Sequence, residues 1–248
     1  MSEKVVSTIY PLYVQIAETF ADRIAGGELK PGDRLPPERE LCQMLNVSRM
    51  TLRQALTELE ARGLIVRRQG DGTYIAEPKI ERNATKLVAF TDAIRQKGYR
   101  PSAKILFFEK RFADARVAKD LKIPLAAAVY YYQRLRFVNQ EPLMLEKCYL
   151  PISRFAGLEN YDLENRSVYE ILRTEYNVRI DHSQQSLEAV IATEYEAELL
   201  GVQVGAAMML QHRLAFDIDG VPIECGEDIY RGDRFIFVTD SAPFSMEE

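Results

Sequence analysis

Arg49 and Arg53 stand four residues apart in Ser48-Arg49-Met50-Thr51-Leu52-Arg53, a spacing that makes side chains neighbours on one face of an α-helix. Their planar donor forks can then lie together against phosphates or guanine edges, which is the chemistry of reading duplex DNA. Leu52, Ala55, Leu56 and Leu59 fall on another face of the same helix, so one side packs while the other is free to read. The bland alternative is a solvated helix face on which Glu58 and Glu60 serve as surface partners. Arg39 carries the same ambiguity, since a carboxylate in its own helix is within reach.

The flanking residues decide how such a helix would be held. Leu35-Pro36-Pro37-Glu38-Arg39-Glu40-Leu41 opens a helix with proline in its first turn and carboxylates at the positive end of its dipole. Asn46, tolerant of the left-handed conformation, closes that helix, and Ser48 is the right residue to cap the next, which predicts a helix-turn-helix. Gly63 ends the second helix; Leu64–Gln69 and Thr73–Ala76 read as strands around the tight turn Gly70-Asp71-Gly72, a hairpin wing with Arg67 and Arg68 facing phosphates. Upstream, Pro11 begins a helix with Tyr13, Ile16, Ala17, Phe20 and Ile24 on one stripe, ended by Gly26-Gly27.

Charge is local here. The chain carries a formal net charge of −5, yet Ser48–Gly70 holds Arg49, Arg53, Arg62, Arg67 and Arg68 against Glu58 and Glu60. Its 248 residues leave room for a second domain of about 160 residues with its own core. Glu77-Pro78-Lys79-Ile80-Glu81-Arg82-Asn83-Ala84 is charged and poor in apolar residues, so an exposed linker is expected over 78–85, between domains 1–77 and 86–248. No leader or membrane-length apolar run is evident, and Cys42, Cys148 and Cys225 are few and widely separated, so a reduced cytoplasmic chain is expected.

In the second part strands are predicted at Ser102–Phe112, Val129–Val138, Pro142–Leu150, Gln184–Ala192, Ala207–Asp217 and Pro222–Tyr230. Helices are predicted at Leu87–Lys97, Ala113–Leu121, Val168–Tyr176 and Glu194–Leu200. Hairpin turns at Asn139-Gln140-Glu141 and Asp217-Ile218-Asp219-Gly220 make those pairs antiparallel, an α+β pattern with helices on an antiparallel sheet. No internal repeat is evident beyond the similar rhythm of those two hairpins.

Catalytic chemistry finds little purchase on this pattern. His182 and His212 have no ligand-spaced companion, no nucleophile elbow or phosphate-gripping loop occurs, and no metal or cofactor is expected. The constellation that does invite chemistry is Tyr130-Tyr131-Tyr132-Gln133-Arg134-Leu135-Arg136-Phe137. Strand alternation puts Tyr130, Tyr132, Arg134 and Arg136 on one face and Val129, Tyr131, Leu135 and Phe137 on the other. Two converging arginines need an anion between them: a phosphate or carboxylate ligand, or acids of the next strand such as Glu141 or Glu146.

From Tyr10-Pro11-Leu12-Tyr13 through Gly32-Asp33-Arg34-Leu35-Pro36-Pro37-Glu38-Arg39-Glu40-Leu41, Val47-Ser48-Arg49, Gly63-Leu64 and Gly70-Asp71-Gly72-Thr73, the chain resembles the GntR family of bacterial transcription regulators. That resemblance implies a winged helix-turn-helix in which residues matching Arg39, Arg49 and Arg53 contact operator DNA and the glycine matching Gly70 approaches the minor groove. With the wing arginines and the helix opening, the expected DNA-contacting set is Arg39, Ser48, Arg49, Thr51, Arg53, Arg67, Arg68 and Gly70.

From about Lys86 onward, with Arg134-x-Arg136 followed by Pro142, Glu146, Tyr149 and Pro151, the chain is similar to the effector domain of the HutC subfamily, a chorismate-lyase-like fold known as the UTRA domain. The resemblance implies an effector site at Phe90, Thr91, Arg134, Arg136, Glu146, Ser167, Tyr169, Glu224 and Tyr230. Ser167 also makes local sense as the cap of the helix that Val168 begins. Around Glu224-Cys225-Gly226-Glu227-Asp228 the sequence is more acidic than the family pattern, and Asp228 shares a strand face with Glu224, which suits an amine or several hydroxyls. The implied protein is a homodimeric repressor, released from operator DNA by a small anionic metabolite such as a sugar phosphate. An enzyme acting on a carboxylate substrate and a ligand-independent DNA-binding protein are the alternatives.

Overall fold

The computed structural model describes residues 10–68, 70–85 and 87–239, without the side chain of Arg68, and divides into two compact units at Lys79/Ile80. The first unit contains α1 (Leu12–Ala25), α2 (Glu38–Leu45), α3 (Arg49–Ala61), β1 (Ile65–Arg68) and β2 (Gly72–Ile75). Pro11 and Pro37 sit immediately before α1 and α2, where a missing N–H costs nothing. Asn46 ends α2 in the left-handed region with φ 52°, and after Val47 the Ser48 hydroxyl accepts from the Thr51 N–H at 3.1 Å to start α3. The tightness of this turn therefore rests on one residue that tolerates the left-handed backbone, Asn46, and one whose side chain caps the next helix, Ser48. Leu41, Leu52, Ala55, Leu56 and Leu59 close against Ile16, Ala17 and Phe20 of α1 and against Ile65 and Ile75 of the hairpin. Ser48→Ala removes the cap and should lower this unit's stability by about 1 kcal/mol; a urea titration followed by helical circular dichroism reads it, and an unchanged midpoint would deny Ser48 its capping role.

The hairpin pairs Ile65 with Ile75 and Arg68 with Gly72. β1 begins one residue later than the sequence suggests, β2 keeps its four residues but sits one residue earlier, and Gln69 lies outside the described residues.

The second unit contains β3 (Ile80–Asn83), α4 (Phe90–Gln96), β4 (Pro101–Phe112), α5 (Ala115–Leu121), β5 (Ala128–Val138), β6 (Glu141–Pro151), a 3₁₀ turn at Leu158–Asn160, α6 (Val168–Glu175), β7 (Ile180–Ile191), α7 (Glu194–Leu200), β8 (Ala207–Asp217), β9 (Pro222–Arg231) and β10 (Phe235–Val238). Six of the strands form one antiparallel sheet in the order β4-β5-β6-β9-β8-β7. Asn139 and Gln140 both take positive φ (50° and 72°), which gives the β5–β6 hairpin a two-residue turn of the twist-matched kind.

Two expectations are corrected. The linker expected over 78–85 is instead interrupted by β3, which pairs in parallel with β10 from Phe235↔Ile80 to Val238↔Asn83 and buries Ile80 beside Phe90, Tyr230 and Phe235. A short charged strand whose partner lies at the far end of the chain leaves no local period to read.

The other correction concerns repetition. β4, α5 and β5 recur 79 residues later as β7 (Ile180–Ile191), α7 (Glu194–Leu200) and β8 (Ala207–Asp217), with Ala113/Ala192, Ala118/Ala197, Leu121/Leu200 and Ala127/Ala206 in matching places. The helix caps correspond, Asp114 accepting from Val117 N and Thr193 from Glu196 N. The loop bonds correspond too, Ala113 N to Ala127 O in one half and Ala192 N to Ala206 O in the other. Most informative for function, Arg134-Leu135-Arg136-Phe137 of β5 recurs as Arg213-Leu214-Ala215-Phe216 of β8. The sheet order then brings the two halves together along β6 and β9.

Candidate functional site

All nine residues expected around an effector line one cavity of the second unit, about 530 Å³ of empty space with its mouth included. The sheet register explains why. Arg134 of β5 is opposite Glu146 of β6, Glu146 is opposite Asp228 of β9, and Asp228 is opposite Gln211 of β8, so four polar side chains form a row on one face. One residue pair further along, Arg136, Met144, Tyr230 and Met209 form the next row. Phe90 and Thr91 enter from the start of α4, and Ser167 and Tyr169 from the start of α6.

Of the possible partners for the arginine pair, the structure selects Glu146. Arg134 grips it with two bonds, Nε at 3.0 Å and Nη2 at 2.9 Å, while Nη1 donates to Leu163 O at 2.6 Å. Arg136 Nη1 reaches the same carboxylate at 3.0 Å, and its Nη2 donates to Thr91 Oγ1 at 2.7 Å. Glu141 serves Arg231 and Arg234 instead. Arg134 and Arg136 are 2% and 4% exposed, so a single carboxylate balances two fully buried cations. Burial opposes charge on Glu146, but Arg134 and Arg136 together hold its carboxyl well below the usual range. Burial, then the like charge of Arg134, pull the Arg136 guanidinium down against Glu146.

Arg213, Arg82, Gln185 and Gln211 line the same cavity, beyond the residues that the sequence singles out. Arg213 donates through Nε to Glu224 at 2.9 Å and through Nη1 to Asp228, bridging two carboxylates. Gly226 lies between them on β9; a Cβ there would stand 3.0 Å from Arg213 Nη2 and 3.0 Å from Lys147 O, so the bare backbone admits the guanidinium. Burial, followed by the repulsion of Glu146 and Glu224 and against Arg213, pushes the Asp228 carboxyl up to about 6. Arg82 of β3 stacks 5.4 Å from the Tyr230 ring and 5.7 Å from that of Phe90. It lies in the charged stretch that reads as a linker, so the sequence alone does not bring it to the site. Arg213 could have been found by matching Arg-Leu-x-Phe to itself along the chain.

Ser167 stands at the N-cap position of α6, but its hydroxyl makes no capping bond, contrary to expectation. The helix start is therefore not closed by its own side chain, and its first N–H groups have no partner within the helix. Five polar atoms in the cavity wall are buried without a hydrogen-bond partner: Arg82 Nη1, Arg136 Nε and Tyr169 Oη, which donate, and Gln211 Oε1 and Asp228 Oδ1, which accept. Buried groups left in this condition cost free energy, of order 1–3 kcal/mol each, and a site built to take a polar ligand is one setting that tolerates them.

The first unit presents a different surface. Arg39 on α2 and Arg49 and Arg53 on α3 are exposed, and among the described residues Arg39 and Arg49 make no ion pair. Arg53 Nε donates to Glu38 at 2.9 Å, a bridge between the starts of the two helices that is exposed and so weakly held. Ser48 and Thr51 share a hydroxyl contact of 2.8 Å at the mouth of α3. In the wing, Arg67 lies 3.4 Å from Glu60, Arg68 occupies β1 with its side chain outside the described residues, and Gly70 turns the chain with φ 75°. Arg34 donates to Asp71 O and stands 5.9 Å over the Tyr74 ring, bracing the wing from below.

Residues 12–75 match the family described as bacterial regulatory proteins, gntR family, and residues 96–236 match the UTRA domain, more than half of the chain. The chain belongs to the gntR family of regulators and carries a UTRA domain. It is 33% identical to the HTH-type transcriptional repressor NagR of Bacillus subtilis over 92% of this chain and 93% of that protein. It is 31% identical to the mannosyl-D-glycerate transport/metabolism system repressor MngR of Escherichia coli, covering 92% and 94%. The solved structure of PhnF from Mycobacterium smegmatis superposes with a TM-score of 0.66 at 28% identity, covering 94% of this chain and all of that one. The chain is thus a DNA-binding transcriptional regulator with two units, a helix-turn-helix and an antiparallel sheet with helices. Among the described residues no helix is long and apolar enough to cross a membrane.

Proposed function

We propose that this regulator is a cytoplasmic homodimeric repressor, not an enzyme, that leaves its operator when a small anionic metabolite, such as a phosphorylated sugar, binds the cavity of the second unit. The observation that carries the effector reading is the set of buried unpartnered donors, Arg136 Nε, Arg82 Nη1 and Tyr169 Oη, in one cavity with the uncapped start of α6. Together they offer an anion several charge-assisted bonds without the need to break the Arg134–Glu146 pair. The names of NagR and MngR support repression and, for the latter, a sugar-derived signal.

On the DNA side, Arg49 and Arg53 read the major groove with Arg39, Ser48 and Thr51 at its edge. Arg67 and Arg68 bind phosphate, and Gly70 lets the wing approach the neighbouring minor groove. Arg53 exchanges the Glu38 carboxylate for the DNA, a cheap exchange at an exposed pair. Two copies of one module multiply a weak individual affinity on a palindrome. Pairing of two chains is supported by exposed apolar side chains on the edge strands, Phe107 and Phe112 of β4 and Ile191 of β7. Effector and operator then weaken each other by the same factor, as linkage requires.

Tyr169→Phe tests the effector site with little harm to the fold. It deletes a buried hydroxyl that has no partner, so thermal stability should hold or rise slightly, while sugar-phosphate affinity measured by calorimetry should fall about fivefold to tenfold. Equal affinity in the variant would remove Tyr169 from the site.

A further inference from the structure

The two halves of the second unit present opposite charge to the shared cavity. In the first half two arginines, Arg134 and Arg136, face one carboxylate, Glu146. In the second half the counterpart of Arg134 is Arg213, but the counterpart of Arg136 is Ala215, and Arg213 alone faces two carboxylates, Glu224 and Asp228. The unpartnered atoms follow the same division. Arg136 Nε, a donor, belongs to the first half; Gln211 Oε1 and Asp228 Oδ1, both acceptors, belong to the second.

Those two acceptors are neighbours. Gln211 and Asp228 are opposed directly in the β8–β9 register and are 3% and 1% exposed. Gln211 uses its amide nitrogen on Gln185, which turns its carbonyl oxygen out as the free group. Asp228 uses one oxygen on Arg213 and keeps the other free, and Glu146 stands opposite it on the far side. Arg82 acts on Asp228 through space without bonding the free oxygen. An incoming hydroxyl would satisfy one acceptor. A protonated amine has three donors and a charge, so it would satisfy both and relieve the crowding of Asp228 by Glu146 and Glu224.

We infer that Asp228 and Gln211 form a second subsite that takes a protonated amine, so that the effector carries an ammonium at one end and its anionic group at the other. This rests on the reading of the cavity as the effector site. Charge balance agrees: the lining holds four arginines, Arg82, Arg134, Arg136 and Arg213, against Glu146, Glu224 and Asp228, one positive charge in excess. A dianionic phosphate with one ammonium neutralises that excess.

The test uses the full chain and three probes: inorganic phosphate, 4-aminobutyl phosphate and 4-hydroxybutyl phosphate, with affinities from calorimetry at pH 7.5. The amine ester should bind at least about tenfold tighter than its hydroxyl twin. Asp228→Asn should reduce that ratio to near one, with inorganic phosphate affinity holding or rising because a buried negative charge leaves the cavity. If Asp228→Asn does not fold, Gln211→Met, which leaves both Arg213 pairs in place, should still cut the ratio about threefold. Equal binding of the two esters, or a ratio untouched by the variants, overturns the amine subsite while phosphate binding leaves the effector site standing. Failure of all three probes to bind removes both.

Discussion

Arg49→Ala combined with Arg53→Ala should abolish operator recognition, with affinity for the preferred duplex falling at least about 100-fold and specific binding becoming indistinguishable from binding to random DNA. Each arginine can supply a bidentate contact worth about 1–3 kcal/mol, and a symmetric dimer loses both contacts twice. The fold should tolerate the change. Neither side chain belongs to the buried stripe of α3, and among the described residues the side-chain bond at stake is the exposed Arg53–Glu38 bridge. Fluorescence anisotropy against operator and scrambled duplexes reads the loss, and the thermal midpoint of the second unit should not move. Retention of sequence preference in the double variant would mean that another surface reads the bases.

Glu146→Gln should have the largest effect on stability, about 3–5 kcal/mol, because it leaves Arg134 and Arg136 buried together without a counter-charge. In a unit of this size that corresponds to a fall in Tm of about 10 °C. Added phosphate should recover more of the lost Tm in the variant than it adds to the native chain, because the guanidinium pair then has a site for the missing charge. The sign with pH follows from the same pair. A carboxyl held below its unfolded value contributes stability that is complete above that value, near pH 4.5, and lost as the pH falls. The native unit should therefore weaken on acidification through that window more than Glu146→Gln does. A Tm within about 2 °C of native would show that Glu146 is not the hinge of this cluster.

The readability of the sequence varied with how local each signal was. Asn46, Ser48 and Gly63 act on their own backbone, so the helix-turn-helix was legible to within a residue or two. The six strands of the main sheet are legible because alternation is a two-residue pattern, although β7 starts at Ile180, four residues before the expected Gln184, and the split of Tyr130–Phe137 into two faces needs nothing more. What failed was long range. β3 has four residues, two of them charged, and a partner about 150 residues away, so it resembled a linker and took Arg82 out of the site with it. The repeat is hard to read because its identities are sparse and sit at caps, turns and the cavity, where Asp114 answers Thr193 and Lys122 answers Gly201 by conformation and not by type. Without that symmetry Arg213 looked like one polar residue among several in Gln211-His212-Arg213, and the second charge cluster had no centre.

The measurement closest to the central claim is selection of duplexes from a random library by the purified chain at moderate ionic strength, repeated with a panel of sugar phosphates. The account predicts recovery of one palindrome with half-sites about 10 base pairs apart centre to centre, and its release by at least one phosphorylated compound that also stabilises the second unit. Recovery of no preferred sequence, or of one whose binding no such compound alters while the second unit binds phosphate, would contradict it.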